Sequence, residues 1–182
     1  MAVLTSIGPG PSAGGIIAGM DQGCDGDTVG RDRDAAGRAR QARPRDRLGR
    51  PLPYGSVGVE RISEEPLPPG PTILTARALL AQGRPFSAHE VFEARWKDAP
   101  DAERDLWQGL AQLCVGSTHR ERGNAKGART LWQRALGRLT TYAATDQPTY
   151  DLDLEAITGW LARQLVALGS DPTPGRPGPP PL

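Results

Sequence analysis

All four tryptophans (Trp96, Trp107, Trp132, Trp160) and both phenylalanines (Phe86, Phe92) fall between residues 86 and 160, while glycine and proline crowd the two ends. A chain folds only where burial of apolar surface offsets the entropy of ordering it, so this distribution confines the core to one domain of about 100 residues. From residue 1 to about 70 there are few large apolar residues and no helical or strand period, and the sequence predicts a disordered arm. Residues 170–182, with six prolines, read as a disordered tail. A helical domain over 71–169 lies between them.

Within that domain the apolar period is 3.6. Pro71 and Thr72 open a first helix running to about Gln82, with Ile73, Ala76 and Leu80 on one stripe and Gly83 as its stop. Ser87 and Glu90 have the spacing of a capping box, with Phe86 and Val91 as a hydrophobic staple, so a second helix is expected from Ser87 to the break at Pro100. A third runs from about Ala102 to Arg122, started by Asp98 or Asp101. Gly109 and Gly116, seven apart, clear one side of it for the close approach of another helix. Gly123 stops it and Asn124 caps a fourth helix carrying Ala128, Leu131, Trp132, Ala135 and Leu139. Asp153 caps a fifth, with Leu154, Ile157, Leu161, Leu165 and Leu168 as its stripe. No segment of the domain alternates as a strand does. The expected fold is all-α, a small antiparallel bundle of about five helices.

Polar residues interrupt these apolar faces. His89, Phe92, Glu93 and Trp96 share one stripe of the second helix, and Gln108, Gln112, Val115 and His119 share one ridge of the third. A buried polar group without a partner costs on the order of 1 to 3 kcal/mol, so His89, Glu93, Gln112 and His119 are expected to satisfy one another or to hold a ligand. His-Glu-x-x-Glu differs from the zinc-protease helix His-Glu-x-x-His by Glu93 in place of the second imidazole. His89, Glu93 and His119 remain candidate ligands for one metal ion, with water as a fourth. A structural His–Glu hydrogen-bond network is preferred, because Glu90 is engaged by the cap and the chain has only two histidines.

The formal net charge is +1, which gives no whole-chain attraction to nucleic acid or to a charged membrane surface. Arg31 to Arg50 holds eight arginines, but Asp32, Asp34 and Asp46 are interleaved and no aromatics stand ready to stack on bases. A solvated, self-paired linker is therefore preferred to a nucleic-acid or acidic-partner arm. Cys24 and Cys114 form neither a disulfide framework nor a metal motif. No apolar run approaches the roughly 20 residues of a membrane helix. Residues 1–20 lack a basic n-region and are broken by glycine and proline, so no signal peptide is read there and a reduced, cytoplasmic setting is expected. Nothing before Met20 reads as structural, which leaves Met1 and Met20 both open as starts.

The run Gly-Arg-Pro-Phe-Ser-Ala-His-Glu-Val-Phe-Glu-Ala-Arg-Trp, then Leu-Trp-Gln-Gly-Leu-Ala-Gln-Leu, His119 and Arg-Gly-Asn-Ala-Lys-Gly-Ala, resembles the small helical family catalogued as domain of unknown function number 309, over about residues 72 to 140. The segment Ala-Arg-Pro-Arg-Asp-Arg-Leu-Gly-Arg-Pro-Leu-Pro-Tyr-Gly is similar to the N-terminal extension of some members. The resemblance implies an all-helical fold and no established activity. Its signature positions here are His89, Glu90, Glu93, Trp96, Gln108, Gly109, Gln112, His119, Gly123, Asn124 and Gly127, with Ser87 where members often have His. Inside it, Val115, Gly116, His119, Ala128, Trp132 and Ala135 stand at tetratricopeptide spacings, with His119 in place of the usual Tyr and Thr140 in place of the usual Pro.

No nucleophile–base arrangement, phosphate loop or cysteine cluster is present. The sequence therefore favours a binding or interaction module, for a protein, peptide or small molecule, over a metal-dependent enzyme.

Overall fold

The computed structural model describes residues 43–170 and 178–182. It contains five α-helices: α1 (Pro69–Ala81), α2 (Pro85–Asp98), α3 (Arg104–Glu121), α4 (Ala125–Ala143) and α5 (Leu154–Ser170), with one 3₁₀ turn, Asp101–Glu103, leading into α3. Among the described residues there is no strand, only an isolated antiparallel bridge between Arg45 and Pro51. Each helix packs on the next, and α3 against α4 is the most extensive of these contacts. None of the helices among the described residues is long and apolar enough to cross a membrane.

The core follows the expected stripes. Phe92 of α2, Leu106, Trp107, Leu110 and Leu113 of α3, Trp132 and Leu139 of α4, and Ile157 and Leu161 of α5 are fully buried. Burying side chains of this size stabilises by about 1.5 to 3 kcal/mol each, which is what holds short helices together. Phe92 meets Trp107 with ring centroids 6.4 Å apart, and Trp132 meets Trp160 edge to face at 5.6 Å. A Cβ at Gly109 would lie 2.8 Å from Leu139, and one at Gly116 would lie 2.4 Å from Trp132. The two glycines thus let α4 approach α3, as their spacing predicts.

Helix starts agree less evenly. Asn124 accepts from the Gly127 amide at 2.9 Å and Asp153 from the Ala156 amide at 2.8 Å, both as expected. The capping box does not form. Helix α2 begins at Pro85, two residues before Ser87, with Arg84 as its cap residue and no side-chain cap bond. Proline at the first helical position has φ already set and no N–H to leave unpaired, so the chain enters the helix there. Ser87 is instead buried inside the first turn, its hydroxyl accepting from the Arg84 guanidinium at 3.2 Å. Helix α1 likewise opens at Pro69 rather than at Pro71. Neither Asp98 nor Asp101 caps α3: they pair with Arg95 and Arg104, each at 3.1 Å.

Residues 1–42 and 171–177 lie outside the described residues, with Cys24 and most of the Arg31 to Arg50 run. The remainder of the stretch expected to lack structure makes specific contacts. Asp46 Oδ1 accepts from the amides of Leu48 and Arg50 at 2.9 and 2.8 Å, closing a turn at Gly49, whose φ is +77°. Gly49 needs that conformation and also needs the space, since a Cβ there would lie 2.4 Å from the Phe86 ring. Leu48 is buried, and its carbonyl accepts from the Arg122 guanidinium at the end of α3. Arg47 donates to the Gly83 carbonyl at 3.0 Å and pairs with Glu121 at 2.7 Å. Arg84 donates to the Glu60 carbonyl at 2.7 Å. Arginine bonds to backbone carbonyls, with buried Leu48 and half-buried Ile62, hold residues 43–62 against the helices.

Candidate functional site

The polar residues expected to gather fall into separate groups. On α2, His89 Nε2 is 3.2 Å from Glu93 Oε2 and Nδ1 is 3.3 Å from the Phe86 carbonyl, while Glu93 Oε1 pairs with Lys97 at 3.0 Å. Both ring nitrogens of His89 therefore face acceptors. Only the doubly protonated ring satisfies both, yet burial favours the neutral one. Burial prevails over the charge of Glu93 and the Phe86 carbonyl, and holds the His89 imidazole below its ordinary value. One acceptor-to-acceptor contact is left in the neutral state. The Phe86 ring packs on the imidazole at 5.4 Å.

His119 lies at the corner between α3 and α4. Its Nδ1 is 3.0 Å from Asn124 Nδ2, and the Asn124 Oδ1 takes the Gly127 amide, so the Asn124 amide group donates to the ring and caps α4 at once. A Cβ at Gly127 would lie 2.8 Å from that ring nitrogen and 2.6 Å from Asn124 Nδ2. The Gly-Asn-x-x-Gly signature is thereby explained as a helix corner. Burial, then Arg122, lower the His119 imidazole as well. Gln112, on α3, has its Oε1 buried with no hydrogen-bond partner among the described residues, and Gln108 is half-buried one turn before it. Trp96 packs against the edge of the core.

No group of three or more His, Cys, Asp or Glu is placed to hold a metal ion among the described residues, so His89, Glu93 and His119 do not form one ligand set. Each histidine is taken up by partners of its own: His89 by Glu93 and the Phe86 carbonyl on α2, His119 by Asn124 at the α3–α4 corner.

With the capping box gone, Glu90 has no structural bond to the helix start. Burial raises its carboxyl above the ordinary range against the opposing charges of Arg45, Arg84 and Arg61. The guanidiniums of Arg45 and Arg122 stand 5.6 and 5.9 Å from the Phe86 ring centre. Cys114 is fully buried, and burial pushes its thiol up, away from reactivity.

Sequence reasoning missed one polar centre altogether. Glu103 accepts from Trp107 Nε1 at 2.9 Å, the Tyr150 hydroxyl at 2.7 Å and Arg95 Nη2 at 3.3 Å. Burial alone would raise this carboxyl; the three hydrogen bonds outweigh it and hold it below the ordinary range. Tyr150 and Asp151 have φ of 53° and 60°, left-handed conformations that cost roughly 1 to 2 kcal/mol per residue, and the Glu103 bond with the Trp107 ring at 5.6 Å offsets this. The missed signal was Glu103 and Trp107 one helical turn apart.

A groove of about 510 Å³ opens between the α1–α2 corner, the end of α3 and α5. Leu80, Pro85 and Trp160 give it apolar walls, Gln82, Ser117 and the Arg47–Glu121 pair are its polar groups, and Pro179 and Pro180 close one side. None of His89, Glu93, Gln108, Gln112 and His119 lines it.

These features define a small all-α bundle with polar helix corners and a lateral groove. Residues 73–131, from α1 into α4, match the family model described as domain of unknown function (DUF309), which is the resemblance carried by the His-Glu-x-x-Glu and Gly-Asn-x-x-Gly-Ala runs. The chain is also 36% identical over 52 residues to the uncharacterized protein YpuF of Bacillus subtilis, a stretch covering 28% of this chain and 30% of that protein. No solved structure matches it.

Proposed function

We propose that the protein is a binding module rather than a metal-dependent enzyme, and that it takes a small organic ligand in the groove beside Trp160. The groove itself carries this reading. Its volume of about 510 Å³ suits a small ligand, and it joins an apolar wall to a few polar groups that would orient what binds there. His89–Glu93 and His119–Asn124 then serve as local supports of α2 and of the α3–α4 corner.

Thermal unfolding of the full chain against a panel of small carboxylates, amines and aromatic acids tests this. At least one compound should raise the midpoint of the wild type and not that of Arg47→Ala, whose side chain edges the groove. A midpoint that responds to no compound, or that rises with zinc, manganese or iron in the wild type but not in His89→Ala or His119→Ala, overturns it.

A further inference from the structure

Residues 178–182, Gly-Pro-Pro-Pro-Leu, belong to none of the five helices and yet are seated on them. Gly178, Pro179 and Pro180 line the same groove as Trp160, Leu80 and Pro85. Leu182 packs against the hydrophobic core, and it and Pro180 are half-buried while Pro179 and Pro181 are exposed. The Leu182 amide donates to the Pro180 carbonyl at 3.0 Å, which closes a three-residue turn around Pro181. The three prolines have no N–H to satisfy, and Leu182 finds its acceptor within the segment, so the stretch docks without drawing a hydrogen bond from the helices. Apolar contact is left as the attachment. Fixed φ angles lower the entropy lost when such a stretch is held still, which is why proline-rich segments pair with aromatic-lined grooves.

We infer that the wall formed by Trp160, Leu80 and Pro85 is a docking site for a proline-rich peptide in which a large apolar residue follows the prolines, and that residues 178–182 are its resident occupant. The attachment has no directional bond to break, so a peptide on another protein displaces it by matching two features only, the proline run and the apolar residue after it. Because the resident segment is part of the same chain, it competes at an effective concentration on the order of millimolar. The docking does not depend on a small ligand, for which the groove stays open beside the segment.

The Trp160 indole N–H signal in nuclear magnetic resonance of the full chain tests it, with that of Trp107, which packs on Phe92 and Tyr150, as the reference. The double variant Pro180→Gly, Leu182→Ser should shift the Trp160 signal and leave that of Trp107 in place. Acetylated Gly-Pro-Pro-Pro-Leu added to this variant should return the signal toward its wild-type position. Its dissociation constant should be no weaker than the order of millimolar, since the same contact holds within the chain at that effective concentration. Acetylated Gly-Ala-Ala-Ala-Leu should bind at least about tenfold more weakly, because it lacks the fixed φ angles. Three results overturn the inference: a Trp160 signal that the double variant leaves unmoved, a variant that takes up neither peptide or both alike, or a wild-type signal that moves to the variant's position on dilution, which would place the segment on a second copy.

Discussion

Gly116→Ala measures how closely α3 and α4 pack. The added Cβ would stand 2.4 Å from Trp132 Cδ1 and 2.6 Å from Nε1, distances at which the indole must move. Trp132 is fully buried and donates Nε1–H to the Leu113 carbonyl at 3.1 Å, so the ring has no open space to move into and one buried bond to lose. Overpacking of this kind costs about 1 to 3 kcal/mol, and stretching the indole bond adds about 1 kcal/mol. The helix gains about 1 kcal/mol when glycine becomes alanine. The expected net loss is therefore about 1 to 3 kcal/mol, read as a lower urea midpoint in helical circular dichroism with the slope unchanged. Gly137→Ala on the same helix pair is the control: nothing lies within 4 Å of its Cβ, so it should gain about 0.5 to 1 kcal/mol. A Gly116→Ala midpoint at or above that of the wild type would show that the helices do not approach as described.

His89 and Glu93 are 19% and 35% exposed, so a double-mutant cycle with alanine at both should give a coupling of only about 0.3 to 1 kcal/mol; a coupling above about 2 kcal/mol would mean a far more buried network. Because burial lowers the imidazole of His89 below 6.5, its contribution to stability is complete above that pH and is lost as pH falls through the lowered folded value; melting from about pH 7.5 to about pH 5 should show a decline that is shallower in His89→Gln, and an equal slope would refute the assignment. Leu48→Ala should cost about 2 kcal/mol in chemical unfolding, since that side chain is buried, whereas a change within about 0.5 kcal/mol would place residues 43–62 in solvent.

Periodicity was enough to locate the helices, and the rules for polar termini were enough where a side chain was the only way to satisfy the helix start. Asn124 and Asp153 cap because no proline competes with them there. Ser87 does not, because Pro85 had already entered the helix, and the capping-box pattern carries no weight against a proline two residues upstream. Gly109 and Gly116 were legible as a pair because a helix interior tolerates glycine only for a packing reason, and Leu139 and Trp132 are that reason. That His89 and His119 have different partners was not legible. A helical face says which residues look in one direction, not which neighbour each will bond. Residues 43–62 were missed for a different reason. They attach through guanidiniums bonded to carbonyls, as Arg47 to Gly83 and Arg122 to Leu48, and such bonds leave no hydropathy period. Glu103 was overlooked because its partners Tyr150 and Arg95 lie far from it in sequence or on another helix.

The groove takes Arg47 as part of its wall and so depends on residues 43–62 being seated on α2 and α3, and hydrogen–deuterium exchange of individual amides reads this seating. The amides of Asp46, Gly49, Leu52 and Val59 are bonded to the carbonyls of Arg50, Asp46, Pro44 and Arg45. They should exchange well below the rate of an unfolded chain in the wild type, and faster when Phe86→Ala removes the ring on which the turn at Gly49 rests. Exchange of those four amides at the unfolded-chain rate in the wild type, with the helices still protected, would contradict the seating and with it the groove.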